Sequence, residues 1–280
     1  MLIVDYFKNS FARKKARRVF KEYGFRVDTF ELEGEKIEFA NWLNPLVKDK
    51  KITAKEIHFF KQYIPVGSFA VDIGANIGDL TVPMAIAAGE KGMVLGLDPN
   101  PMVFKILQAN SRLNPHKTNI IPLQLAAVEN ECQYYFASSE ASMGNGGLIE
   151  RLDDDRHGKF KLKDPIQGVN LVEYLKSHYA NWLPKLSLIK IDAEGFDYFI
   201  LKTLEPLLEK YHPVIIAEVF HLVTKEVRNN IYSLLKKYNY TILNIGEFET
   251  DENFQPKLIK DQNEMPKYGI TENIIAFCQP

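Results

Sequence analysis

The chain of 280 residues has two cysteines, Cys132 and Cys278, which are too few and too far apart for a disulfide framework or a cysteine-based metal site. It has no excess of charge of either sign. Lys and Arg number 35 against 36 Asp and Glu, for a net charge of -1, which excludes a surface that is basic all over and made for a polyanion. No apolar run approaches the roughly 20 residues of a membrane-spanning helix. The opening MLIVDYFKNSF carries Asp5 within its apolar stretch and no small-residue cleavage site, so it does not read as a signal peptide. Internal repeats and low-complexity tracts are absent as well. The expectation is a soluble protein of the reducing cytoplasm with no nucleic-acid partner. Apolar residues are plentiful, at 46 %, enough to bury one large core.

That core is expected in residues 53–280, with residues 1–52 as an N-terminal extension. Tyr6 to Lys21 holds seven basic residues and no acid, interleaved with Phe7, Phe11, Val19 and Phe20, and reads as a basic amphipathic helix. Two readings stand side by side: peripheral contact with an anionic membrane or acidic carrier, and a solvated helix packing its Phe face on the domain. Thr29 to Asn41 alternates apolar and charged residues around Gly34, as a hairpin does. Thr53 and Glu56 form a capping box for a helix whose apolar face is Ile57, Phe60 and Ile64.

After Pro65 the chain alternates strands and helices. Apolar runs fall at 68–73, 93–97, 119–125, 186–191 and 214–219, the cadence of a mostly parallel sheet covered on both faces. Two later runs, 241–245 and 271–277, flank a polar segment and read as a hairpin closing the sheet with an antiparallel edge strand. Between Tyr134 and Val169 lies a long insertion rich in Ser, Gly and charge. Its glycines around Ser142 to Gly147 read as hinges of a lid.

The first strand of the cadence runs into FAVDIGANIGDLT, Phe69 to Thr81, a strand, tight turn and helix opening of the kind built around a bound nucleotide. Gly74 permits the turn and Gly78 a close helix approach. Asn76 takes the place of a middle glycine, as the next best residue for left-handed backbone. Asp72, two residues before the loop, can meet a cationic or polar part of the ligand. Asp98, twenty residues past Gly78 at the tip of the second strand, can accept both hydroxyls of a ribose, and Asn100 caps the helix that follows. Ala126 and Ala127, after the third strand, fall near an adenine. The fourth strand ends in KIDAEG, Lys190 to Gly195, and the fifth in AEVFH, Ala217 to His221. If the two are neighbours, Asp192, Glu194, Glu218 and His221 converge at the same sheet edge.

Together DIGANIG with Ala75 and Asn76 at its centre, LDPNP, KIDAEG followed by Phe196 and Asp197, and the strand ending in Glu218 resemble the FkbM-type S-adenosylmethionine-dependent methyltransferases. The match covers about 65–222, in order and spacing. Asp197 stands where that family commonly shows a glutamate. The resemblance implies a Rossmann-like, seven-stranded class I methyltransferase fold and O-methylation of a hydroxyl on a sugar, glycan, lipid-linked or polyketide-type acceptor. It implies cofactor contacts from Asp72, Gly74, Asn76, Gly78 and Asp98, and active-site positions at Asp192, Glu194 and Glu218. His221 is favoured as the base, because an unperturbed imidazole titrates near neutrality, at about 6.5. A second option gives Asp192 and Glu218 a divalent cation such as magnesium, which would lower the acceptor's pKa. Domains of this kind often dimerise, so a homodimer is within expectation. Two other readings compete: a nicotinamide-dependent oxidoreductase, suggested by the glycine loop and Asp98, and a non-catalytic module that keeps the fold and binds through its basic helix.

Overall fold

The computed structural model describes residues 2–246 and 255–278. A basic helix, α1 (Leu2–Arg18), precedes a two-stranded antiparallel hairpin of β1 (Phe25–Leu32) and β2 (Glu35–Trp42). Glu33 and Gly34 both take positive φ at its turn, the twist that suits a two-residue connection. α2 (Ala54–Lys61) starts with the expected capping box, and Ile57, Phe60 and Ile64 are buried. The hairpin does not stand apart: Ile37, Phe39 and Trp42 share one core cluster with α2 and with Val82 and Met84.

The doubly wound body follows as β3 (Phe69–Ile73), α3 (Thr81–Ala88), β4 (Met93–Leu97), α4 (Pro101–Asn110) and β5 (Ile120–Leu123). After an insertion holding five short strands, β6 to β10 between Leu125 and Val169, it resumes with α5 (Leu171–His178). β11 (Leu186–Ile191), α6 (Asp197–Thr203), α7 (Glu205–Tyr211), β12 (Val214–Val219), α8 (Lys225–Lys237), β13 (Thr241–Gly246), β14 (Lys257–Leu258) and β15 (Glu272–Phe277) complete it. The sheet order is β14-β13-β15-β12-β11-β3-β4-β5. β12, β11, β3, β4 and β5 run parallel, and buried apolar side chains cover both faces. Without the two-residue β14 this is the seven-stranded order expected of a class I methyltransferase fold. The final strand is antiparallel as expected, but it inserts between β12 and β13 and so is not the rim. β14, antiparallel to β13, forms that rim. Residues 247–254, within the polar segment expected between the last two long strands, lie outside the described residues.

Two expectations change. The run 119–125 is two strands: β5 stays in the main sheet, while β6 (Leu125–Ala127) leaves it. The insertion is no long loop but a second sheet, made of β6 with β7 (Cys132–Ser138), β8 (Gly147–Ile149), β9 (Phe160–Lys161) and β10 (Ile166–Val169). Its glycines are not free hinges. A Cβ at Gly146 would lie 2.2 Å from the Ala137 carbonyl oxygen, and one at Gly147 would lie 2.5 Å from the His157 ring. The basic helix reaches the insertion through its last turn, where Arg17 O accepts from Ala141 N–H at 3.1 Å and the Arg17 guanidinium lies 3.3 Å from Glu140. Ala16 is buried, whereas Phe11 is 70 % exposed and does not pack on the domain. The side chains of Tyr6, Phe7 and Lys8 lie outside the described residues.

Candidate active site

A cavity of about 580 Å³ opens at the carboxyl edge of the parallel strands, a size suited to a cofactor-scale ligand. The loop after β3 forms its floor. Gly74 has φ +76, and a Cβ there would come within 1.8 Å of the Asp192 carbonyl oxygen, so only glycine allows β3 and β11 to meet at this point. Asn76 takes φ 48, the left-handed angle expected of it. Gly74 and Ala75 both donate their N–H to Leu97 O at 2.9 Å, and Asn76 donates its own to Asp98 Oδ2 at 2.8 Å. Three of the loop's N–H groups are therefore committed within the protein, and none of these three is left to cradle a pyrophosphate. That weighs against the nicotinamide reading. Gly78 does not line the cavity. Its missing side chain makes room for Leu107 of α4, 3.0 Å from where a Cβ would be, so its close approach is helix to loop.

Asp98 lies where the sequence placed it, buried at the tip of β4 and lining the cavity. Each oxygen accepts one backbone N–H, from Asn76 and Asn100, both at 2.8 Å. A carboxylate oxygen can accept more than one bond, so the pair fits the two hydroxyls of a ribose. Burial pushes the Asp98 carboxyl up to about 7, against the pull of these two N–H groups. Asn100 caps α4 as expected, accepting from Met102 N–H at 3.0 Å, and its Nδ2 donates to Met143 O at 2.7 Å. It lines the cavity, but its side chain also fastens the insertion to the main sheet. Ala126, Ala127 and Val128 line the adjoining wall, opposite Tyr134 and Phe136 of the insertion.

Asp72 is fully buried beneath the loop. One oxygen accepts from the Thr81 hydroxyl at 2.6 Å, and the other lies 3.2 Å from Lys190 Nζ. Lys190 pairs in register with Asp72 across β11 and β3, and its ammonium also lies 3.3 Å from Asp192. Burial alone would lower the pKa of Lys190, but the charges of Asp192 and Asp72 outweigh it and hold the ammonium above its usual range. Burial raises the Asp72 carboxyl, opposed by Lys190 and the Thr81 hydroxyl. Lys190 is a site residue that no motif in the sequence singles out. Its one signal is a single charge in the apolar strand LSLIKI, since an unpaired lysine is almost never fully buried.

The four residues predicted at the ends of β11 and β12 divide into two pairs. Asp192 and Glu194 line the cavity, with Phe196, Phe199 and Ile200 beside them. Glu194 takes φ 50 and Gly195 φ 98, an unusual turn for a non-glycine residue. Asp197 shapes this turn by accepting from Ala193 N–H at 3.1 Å and Gly195 N–H at 3.0 Å. Burial lifts Asp197 to about 7. Partial burial and the charge of Asp192 raise the Glu194 carboxyl, with His221 acting in the opposite direction. Glu218 and His221 do not line the cavity. The Glu218 carboxyl has one oxygen buried without a hydrogen-bond partner and is pushed up to about 9, by burial and then by Asp192, Asp197 and Glu194. His221 is seated on Thr271, with Nδ1 3.0 Å from its hydroxyl, and its ring lies 4.2 Å from that of Phe220. Among the described residues no three His, Cys, Asp or Glu side chains are placed to hold a metal ion. Of Asp192 and Glu218, the pair expected to hold magnesium, only Asp192 lines the cavity. The insertion contributes Arg156 and His157 to the wall, neither anticipated from sequence.

Two curated proteins are similar over about half of the chain. One is a hexuronic acid methyltransferase, AglP, of Haloferax volcanii, 27 % identical over 145 residues, covering 52 % of this chain and 53 % of that protein. The other is a protein-L-isoaspartate O-methyltransferase of Caenorhabditis elegans, 22 % identical over 133 residues, covering 45 % and 59 %. The chain thus spans little more than half the length of either. Among solved structures, a methyltransferase FkbM of Methylobacillus flagellatus aligns with TM-score 0.44 at 14 % identity, covering 79 % of this chain and 50 % of that one. The Methyltransferase FkbM domain model matches residues 72–242, more than half of the chain and from Asp72 through Glu218. The chain belongs to the FkbM family of methyltransferases.

Proposed function

We propose that the protein is an O-methyltransferase acting on a hydroxyl of a sugar or glycan, with Glu194 as the base. S-adenosylmethionine, when bound, supplies an electrophilic methyl group on a sulfonium, so the chain mainly has to align an acceptor oxygen and help it lose a proton. The observation that carries the reading is that Asp192 and Glu194 line the same cavity as Asp98 and the Gly74 loop. Asp98 would hold the ribose hydroxyls, and Ala126, Ala127 and Val128 would flank the adenine. Asp72 acts from below, through Lys190, on the position of Asp192. Glu194, in the cavity wall, can take the acceptor proton at its carboxylate, and a raised pKa makes it a stronger base than an ordinary glutamate. The similarity to a hexuronic acid methyltransferase of Haloferax volcanii supports the acceptor class. His221 is not assigned the role, because its imidazole faces Thr271.

Turnover of a panel of hexoses, hexuronic acids and their glycosides, with the methylated atom located by NMR, tests this reading. Glu194→Gln is expected to lower kcat about 10²- to 10⁴-fold while leaving S-adenosylhomocysteine affinity unchanged. Its carboxyl is raised, so the ascending limb of the wild-type kcat–pH profile should lie above the ordinary carboxylate range and vanish in the variant. Full activity of Glu194→Gln, or a methyl group found on nitrogen or carbon, refutes it.

A further inference from the structure

Lys50 belongs to the N-terminal extension, outside the residues 72–242 that the family model matches, and yet it lines the cavity. Two buried asparagines, Asn110 and Asn41, place it there. Asn110 of α4 accepts from Ala40 N–H at 2.6 Å, and its Nδ2 donates to Ala40 O at 3.1 Å and to Ile77 O of the glycine loop at 2.7 Å. β2 is thereby fixed against the loop. Asn41, the next residue of β2, holds Lys50 by its backbone: Lys50 N–H donates to Asn41 Oδ1 at 2.7 Å, and Asn41 Nδ2 donates to Lys50 O at 2.9 Å. The Lys50 ammonium lies 3.0 Å from Asp79, which follows the loop and also lines the cavity. Of the other two Lys and Arg side chains in the lining, Lys190 is buried between Asp72 and Asp192, and Arg156 pairs with Asp154 on the insertion. A cation and an anion therefore stand side by side in the cavity wall at the edge of the glycine loop.

The order of the strands decides which part of a cofactor meets this pair. With the adenine against Ala126 to Val128 and the ribose hydroxyls on Asp98 at the tip of β4, the substituent on the far side of the ribose falls over the tip of β3, the next strand, and its loop. In S-adenosylmethionine that substituent ends in an α-ammonium and an α-carboxylate. Resting on the reading of the cavity as the site of that cofactor, we propose that Lys50 and Asp79 bind this zwitterion, with Lys50 on the carboxylate and Asp79 on the ammonium. Four charges of alternating sign then form a closed ring in which each has two opposite neighbours. An ammonium has three N–H donors and a carboxylate about four acceptor positions, so Lys50 and Asp79 stay paired while each takes one cofactor group. Their side chains are 36 % and 23 % exposed, so water and salt screen the contacts less than those of a fully exposed pair. The N-terminal extension thus completes the cofactor site.

The test compares S-adenosylhomocysteine with 5′-methylthioadenosine, which has the same adenosine and sulfur but no amino acid end, by calorimetric titration of the full chain. Wild type is expected to prefer S-adenosylhomocysteine by about 100-fold or more, since each hydrogen bond between charged groups is worth on the order of 10- to 100-fold. Lys50→Met and Asp79→Asn should each remove about 10- to 100-fold of that preference while leaving 5′-methylthioadenosine affinity unchanged. An equal loss for both ligands would make Lys50 and Asp79 supports of the loop, not ligands of the cofactor, and overturns the proposal. A preference for S-adenosylhomocysteine that survives both substitutions puts the amino acid end elsewhere in the cavity and overturns it too, as does a wild type that binds the two ligands alike. In each of these outcomes adenosine binding, and with it the methyltransferase reading, stands. Binding of neither ligand by the wild type would remove that reading and the proposal together.

Discussion

Replacing Lys190 by methionine removes the cation held between Asp72 and Asp192. The Lys190 and Asp72 side chains are 3 % and 1 % exposed, whereas Asp192 is 38 % exposed. Solvent can take over for Asp192, so the cost falls on Asp72, which keeps only the Thr81 hydroxyl. Removing one partner of a buried ion pair costs about 3–5 kcal/mol, equivalent to a fall in Tm of roughly 6–20 °C for a chain of this size. The loss carries a pH signature. Burial already raises Asp72, and without the ammonium its folded pKa rises further. A carboxyl raised in the folded state contributes stability that is present below its unfolded pKa, about 3.9, and lost as pH rises through the folded value. The deficit of Lys190→Met relative to wild type should therefore be full at pH 8 and shrink toward pH 5. Adding Asp72→Asn, which removes the stranded charge, should restore most of the stability. Urea unfolding of the four proteins of this cycle at both pH values measures it. A deficit below about 1 kcal/mol at pH 8, or an equal deficit at pH 5, or a double variant no better than the single one, refutes the buried ion pair.

Asp98→Ala should weaken S-adenosylhomocysteine binding by about 3–6 kcal/mol, since each of the two ribose hydroxyls would make a hydrogen bond to a charged group, worth roughly 1.5–3 kcal/mol. With the Asp98 carboxyl lifted to about 7, wild-type affinity by calorimetry should strengthen as pH rises from 6 to 8, and a flat profile would count against a ribose-binding carboxylate. Gly74→Ala must move either Asp192 or the loop, because its Cβ would fall 1.8 Å from the Asp192 oxygen at a φ of +76. A loss of about 2–5 kcal/mol is expected from overpacking and left-handed strain. It should appear in thermal unfolding together with loss of cofactor binding, and retention of both would show that the strands separate freely here.

The parts of this protein that its sequence determined are those encoded within a few consecutive residues. The apolar runs of β3, β4, β11 and β12, the Thr53–Glu56 capping box, the Asn100 cap, the left-handed Asn76 and the position of Asp98 at a strand tip all follow from local pattern and backbone preference. The tertiary structure decided what depends on pairing between distant segments. Hydrogen bonds from β15 to both β12 and β13 place the last strand inside the sheet. Pairing of β6 with β10 converts an apparent loop into a second sheet that walls the cavity and brings in His157. Glu194 and His221 look equivalent as residues at the ends of neighbouring strands. The turn bonded to Asp197 directs one into the cavity, while Thr271, fifty residues farther along the chain, holds the other away from it. Lys190 is an isolated charge in an apolar strand until the register of β11 with β3 sets it beside Asp72. Such contacts arise from topology, and a linear pattern of residue types carries no record of which strand lies next to which.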